Sequence, residues 1–183
     1  MANFREDLKR GEAAERRFQQ LHKLQLTKPS HLKWDFDGPD GERLELKADF
    51  YDPTRTPNLF LERWSDVDKK KPGGVWQSLE NGANIFCYWF VNGGFWLECR
   101  DLPALVKFLD VHIESCPPFE VVNPAQQGSE NGQHYAASSW TTVGYRIPRK
   151  ILKGYFDIYV CGEGLGWRAL PRRGGSALGF RLG

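Results

Sequence analysis

His31-Leu-Lys-Trp-Asp-Phe-Asp37, Gly38-Pro-Asp-Gly41 and Glu42-Arg-Leu-Glu-Leu-Lys-Ala-Asp-Phe50 follow one another without a break. Both flanks alternate apolar and polar residues with period two, and Pro-Asp-Gly is strong turn chemistry, so the segment reads as a β-hairpin. On the pleat, Leu32, Trp34 and Phe36 point the same way as Leu44, Leu46, Ala48 and Phe50, which makes this the core face. The opposite face carries Lys33, Asp35, Asp37, Glu45, Lys47 and Asp49. Pairing across the four-residue turn sets Asp37 opposite Glu42, and Asp35 opposite Leu44 and diagonal to Glu45. Two carboxylates and a lysine then share one surface. Hard oxygen ligands that converge in this way suit Mg²⁺, which takes one or two carboxylates and completes its shell with water and phosphate. A lysine beside such an ion can help deprotonate an attacking water and stabilise charge on a pentavalent phosphate.

Upstream, Phe4, Leu8, Gly11, Phe18 and Leu21 recur at helical spacing, which predicts a helix over residues 4–25 that ends near Lys28-Pro29. On its wheel Glu15 falls between Phe4 and Leu8, inside the apolar stripe, with Glu12 on the shoulder. A carboxylate facing a core is costly unless it is paired or near a metal. A salt bridge to an Arg or Lys, Lys47 included, is the plain alternative. Downstream, Asn58-Leu-Phe-Leu-Glu62 is expected to be a third strand, Lys69-Lys-Lys-Pro-Gly-Gly74 a basic loop and residues 75–82 a short helix. Residues 83–91 and 95–99 flank Asn92-Gly-Gly94, a second hairpin signal, and Asp101-Leu-Pro starts a helix to about residue 113. Residues 123–134 read as a mobile polar loop, 146–154 as a basic segment and 155–160 as a strand. The expectation is one mixed α/β domain over residues 1–170 and a flexible Gly/Arg-rich tail over 171–183.

Composition narrows the function classes. The 183 residues (21.0 kDa) suit one domain, and 40% hydrophobic against 26% charged residues argues against wholesale disorder. No apolar run approaches ~18 residues and the first twenty are charged throughout, which speaks against a membrane span or a secretory signal. Cys87, Cys99, Cys116 and Cys161 are scattered, so neither a zinc site nor a disulfide framework is expected, and a reducing, cytoplasmic setting is. Charge is uneven: +4 over residues 1–33, −8 over 34–145 and +6 over 146–183. An acidic centre between basic ends fits a metal site beside surfaces that hold a polyanion. Lys69, Lys70, Lys71, Arg146, Arg149, Lys150 and Lys153 are the candidates for phosphate contact. Glu62 alternates away from Leu59 and Leu61; it could join the site, and a surface or loop-end acid is the plainer reading.

Gly11-x-x-x-Glu15 on a helix, Asp35 on a strand and Glu45-Leu-Lys47 on the next resemble the PD-(D/E)xK nuclease superfamily, phage-type exonucleases and junction resolvases included. The resemblance covers residues 8–50. It implies a restriction-endonuclease-like αβββαβ core with a central mixed sheet flanked by helices, and Mg²⁺-dependent endonucleolytic hydrolysis of DNA, Mn²⁺ substituting. On that analogy Asp35 and Glu45 hold the metal, with the Leu46 carbonyl as a further ligand. Lys47 orients and activates water, and Glu15 acts through metal or water. Trp34 stands where the motif has proline, and Asp37 is an alternative ligand at a gap of eight. The Gln-x-x-x-Tyr helix of some relatives is absent; Gln77, in the corresponding region, could touch DNA. A homodimer would supply two sites for two strands. The residues also admit a non-catalytic module that binds nucleic acid or a protein partner through its basic ends, and an aromatic-rich carbohydrate-binding domain.

Overall fold

A computed structural model describes residues 4–21, 26–31, 33–123, 126–130, 133–137 and 139–160. Ile85-Phe-Cys-Tyr-Trp-Phe90 is buried at every position, as a strand covered on both faces must be. This is β5, the middle of a five-stranded mixed sheet in the order β1-β2-β5-β6-β11. Its partners are β1 (Phe36–Asp37), β2 (Arg43–Asp49), β6 (Phe95–Cys99) and β11 (Asp157–Val160). Strands β2 and β5 are parallel, and every other pair in this sheet is antiparallel. A second sheet has the order β4-β3-β10-β7, from β3 (Asn58–Asp66), β4 (Lys71–Pro72), β7 (Pro118–Asn123) and β10 (Trp140–Pro148). A two-stranded ribbon, β8 (Gln126–Glu130) and β9 (Gln133–Ala137), stands apart. The helices are α1 (Phe4–Leu21), α2 (Gly74–Asn81) and α3 (Leu102–His112).

The first sheet separates two apolar layers. Helix α1 contributes Ala14 and Phe18 to one, against Phe36, Leu44, Ile85, Trp89 and Trp96. The other joins Phe86, Tyr88 and Phe90 to Leu59 and Leu61 of β3, Ile147 of β10, and residues of α2 and α3. Leu44 is buried on the α1 side and Leu46, Ala48 and Phe50 pack against the same layer, as their alternation requires. The opposite face of β2 is only partly open to solvent, because β3 comes against it. Asp49 is buried there, accepting from the Tyr88 hydroxyl and the Tyr51 N–H, while that hydroxyl accepts from the Phe60 N–H at 3.1 Å. One phenol thus ties β2, β5 and β3 together.

Several expectations need correction. The third strand exists but joins the second sheet, because its inward Leu59 and Leu61 cap the β5 layer instead of extending it. The first arm of the hairpin has only two ladder residues, and the register pairs Phe36, not Asp35, with Leu44. The Asp35 N–H also donates to the Leu44 carbonyl at 3.0 Å, so two residues oppose one, as in a β-bulge. Trp34 accordingly turns to the layer beyond the sheet while Phe36 faces α1. The polar segment 123–134, expected as a loop, contributes to β7, β8 and β9. Helix α1 is described to Leu21; its predicted end over 22–25, Leu32, Cys161 and the tail 171–183 lie outside the described residues. Among the described residues no helix is long and apolar enough to cross a membrane.

Two glycines are demanded by close approach. Gly74 opens α2 at φ 47°, where a Cβ would lie 2.9 Å from the Glu62 carbonyl oxygen. At Gly144 a Cβ would meet the Phe119 ring (Cε1 at 2.6 Å) and the Leu61 carbonyl oxygen at 2.7 Å. The ring can swing but the β3 backbone cannot. Gly144→Ala is therefore expected to cost about 1–3 kcal/mol as an overpacking defect. Urea unfolding checks it: the midpoint should fall with the slope unchanged.

Candidate active site

The bulge at Asp35–Phe36 places the Asp35 carboxylate at the end of the hairpin. Its Oδ2 accepts from the Leu46 N–H at 2.8 Å. In a strand the N–H and C=O of one residue point to the same side, so the Leu46 carbonyl also faces the β1 edge, beyond the last hairpin pair, Phe36 with Leu44. Glu45 projects on the β3 side of the sheet, and Glu15 reaches the same edge from α1. Burial, the backbone N–H, Glu15 and Lys28 act on Asp35 in that order, and the balance pushes its carboxyl up to about 6. Glu45 is pushed up to about 8, first by burial and then by the negative charges of Asp35 and Glu15; Lys28 and Lys47 pull it back only in part. Three carboxylates and two lysines therefore feel one another at one corner of the sheet.

Both lysines are engaged. Lys28 Nζ pairs with Glu15 and lies 4.5 Å from the centre of the Phe36 ring. Lys47 Nζ donates to Glu62 Oε1 at 2.9 Å. Glu15 acts on Asp35 and Glu45 through its charge, and its direct partner is Lys28, next to the proline that ends the predicted helix. Glu62, read as a surface acid, joins the site because β3 crosses the β2 face. Its signal was present in sequence as a polar residue between Leu61 and Arg63, but nothing local said which face of β2 it would meet. Asp37 is otherwise committed: its Oδ1 accepts from Trp34 Nε1 at 2.7 Å, and its backbone bridges to Thr27.

The proposed phosphate contacts do not form one group. Arg149 is buried, and its guanidinium donates to the Pro53 and Thr56 carbonyls at 2.7 and 2.8 Å. That corrects its assignment: it clamps residues 53–56 and cannot reach a polyanion. Lys69 is tied to Asp66 in the β3–β4 turn, with Lys70 and Lys71 exposed beside it. That turn lies ~13 Å along β3 from Glu62. Arg146 is exposed on β10 as the ladder partner of Phe60, Lys150 is exposed in the short 3₁₀ turn that follows, and Gln77 is half-buried in the first turn of α2.

Among the described residues no three His, Cys, Asp or Glu side chains group as ligands of one ion. Mg²⁺ asks for less, one or two carboxylates with water and phosphate oxygens supplying the rest. Asp35 and Glu45 are two half-buried carboxylates whose negative forms lack sufficient compensation, and strand geometry turns the Leu46 carbonyl toward the same edge as its N–H. That donor set fits a hard divalent cation. No family model, no curated protein and no solved structure matches the chain.

Proposed function

We propose that this chain is a Mg²⁺-dependent nuclease that hydrolyses phosphodiester bonds of DNA, with Mn²⁺ able to substitute. The observation that carries it is the half-buried Asp35–Glu45 pair at one sheet edge, where desolvation first and neighbouring negative charge second push both carboxyls up, with Lys47 beside it. Structural charges are normally arranged to relieve such repulsion, and strongly raised carboxyls in one spot mark a functional site. Asp35, Glu45 and the Leu46 carbonyl would hold the ion. When bound, Mg²⁺ supplies Lewis-acid polarisation of a phosphoryl oxygen and of water. Lys47 would present a positive charge to the developing phosphorane, with Glu62 holding its ammonium. Glu15 adds negative charge to the pocket and keeps Lys28 in place.

On this reading α1, the hairpin β1–β2, α2 and the parallel strand β5 take the places of the corresponding elements of an αβββαβ nuclease core, with β3 carried into the second sheet.

The test is incubation of purified protein with plasmid, linear and four-way-junction DNA in Mg²⁺, Mn²⁺ or chelator. Cutting in either metal and none in chelator is the expected result. No cutting of any substrate, with calorimetry detecting no Mg²⁺ uptake, would overturn it. The Lys28–Glu15 and Lys47–Glu62 pairs would then be the structural charges of a non-catalytic binding module.

A further inference from the structure

On the outer face of the second sheet, cross-strand pairing puts Glu62, Gly144 and Phe119 in one row and Phe60 and Arg146 in the next. The missing side chain at Gly144 lets the Phe119 ring lie over β10 toward β3, 6.0 Å from the Phe60 ring. Tyr51 continues the series, its ring 5.2 Å from Phe60 at an interplanar angle of 30°. Tyr51 is 65% exposed, far more than packing against Phe60 alone requires. Arg146 is exposed in the Phe60 row. Phe60 and Glu62 stand two residues apart on one face of β3, ~7 Å along the strand, and Glu62 holds Lys47. The aromatic series therefore runs directly into the candidate active site.

We propose that Tyr51, Phe60 and Phe119, with Arg146, form a stacking platform for the bases of single-stranded DNA, which selects an unpaired strand for the adjacent site. The proposal rests on the nuclease reading for its purpose but not for its binding. Aromatic faces take any base in stacking, and a cation within the same face takes the phosphate, which is the combination that single strands require. A closed duplex offers no base face to Tyr51. A carbohydrate would use the rings but would leave Arg146 without a role, and an apolar protein partner would leave it desolvated.

Anisotropy of a short labelled oligothymidine in chelator, where nothing is cut, tests the platform. Tyr51→Ala is expected to weaken binding roughly 5- to 150-fold, the range that corresponds to loss of one stacked base, while Tyr51→Phe binds as the parent does. Arg146→Ala should reduce the slope of log affinity against log salt by about 0.7, one single-strand phosphate contact, and Tyr51→Ala should leave that slope unchanged. A blunt hairpin duplex should not distinguish Tyr51→Ala from the parent. The platform is overturned if the parent chain does not bind the single strand, if Tyr51→Ala binds it as tightly as the parent, or if the duplex loses affinity equally. A chain that binds single strands through Tyr51 yet cuts nothing in metal would leave the platform standing and remove only the nuclease reading.

Discussion

Lys47→Ala is expected to leave a folded protein that cleaves DNA at least about 10³-fold more slowly in Mg²⁺. The loss follows from the role of the side chain. An oriented charge aimed where negative charge develops is worth about 10²–10³ in rate, and a group that also assists proton transfer contributes up to about 10⁴. The fold should survive because the Lys47–Glu62 pair is part-exposed, and pairs of that kind stabilise by about 0–1 kcal/mol. Lys47→Arg should recover little, since a planar fork cannot reproduce a compact ammonium held by one carboxylate oxygen. Glu45→Ala should be equally inactive through loss of the ion. Single-turnover cleavage beside a thermal melt of each variant makes the measurement. Cleavage retained in both Lys47→Ala and Glu45→Ala would remove the site from this edge of the sheet.

In chelator, stability is expected to fall as pH rises from about 5 to 8, and Glu45→Gln should abolish most of that fall. Folded Glu45 keeps its proton up to about 8, and the unfolded chain releases it near the ordinary 4.5. Between those values the folded state binds more protons than the unfolded state, so the unfolding free energy decreases with pH. The deficit is absent below the lower value and complete above the upper one. Asp35, raised from 3.8 to about 6, acts with the same sign in an earlier window. Each pKa unit is worth about 1.4 kcal/mol, which caps the combined deficit at about 8 kcal/mol; both groups are half-exposed, and solvent screening reduces this to on the order of a few kcal/mol. Glu45→Gln should therefore melt higher than the parent at pH 8 and alike at pH 5. Added Mg²⁺ should raise the parent's melting temperature at pH 8 and not at pH 5, because only the ionised pair recruits it. Thermal melts across this range decide the matter. A melting temperature that rises with pH in chelator, or a Glu45→Gln variant that tracks the parent throughout, would show that these carboxylates are not the strained groups described.

Local signals carried much of the fold. The Asp101 side chain caps α3 as Asp-Leu-Pro suggests, Gly82 ends α2 in the left-handed conformation, and Asn92-Gly-Gly94 joins β5 to β6. Each is settled within a few residues. The second sheet was not legible, because whether Asn58–Asp66 extends the first hairpin or crosses it depends on what Leu59 and Leu61 bury, and that is decided by Phe86, Tyr88 and Ile147 far along the chain. Arg149 misled for a related reason. In sequence it stands among exposed basic residues, but the carbonyls of Pro53 and Thr56 claim it in space.

The candidate site divides in the same way. Sequence by itself put Asp35, Glu45 and Lys47 on the two arms of one short hairpin, while the bulge at Asp35 set the register that brings its carboxylate to the Leu46 N–H. Sequence also set Glu15 inside the apolar stripe of α1, where the structure leaves it half-buried and paired with Lys28. Only the tertiary structure decided that β3 comes against the polar face of β2, so that Glu62 holds Lys47 and Asp49 is buried, and that Lys28 holds Glu15 and the Asp35–Glu45 pair is partly desolvated. The physical reason is range. Alternation and turns are set by backbone geometry between neighbours, while the desolvation that gives these carboxylates their character comes from layers packed by residues distant in the chain.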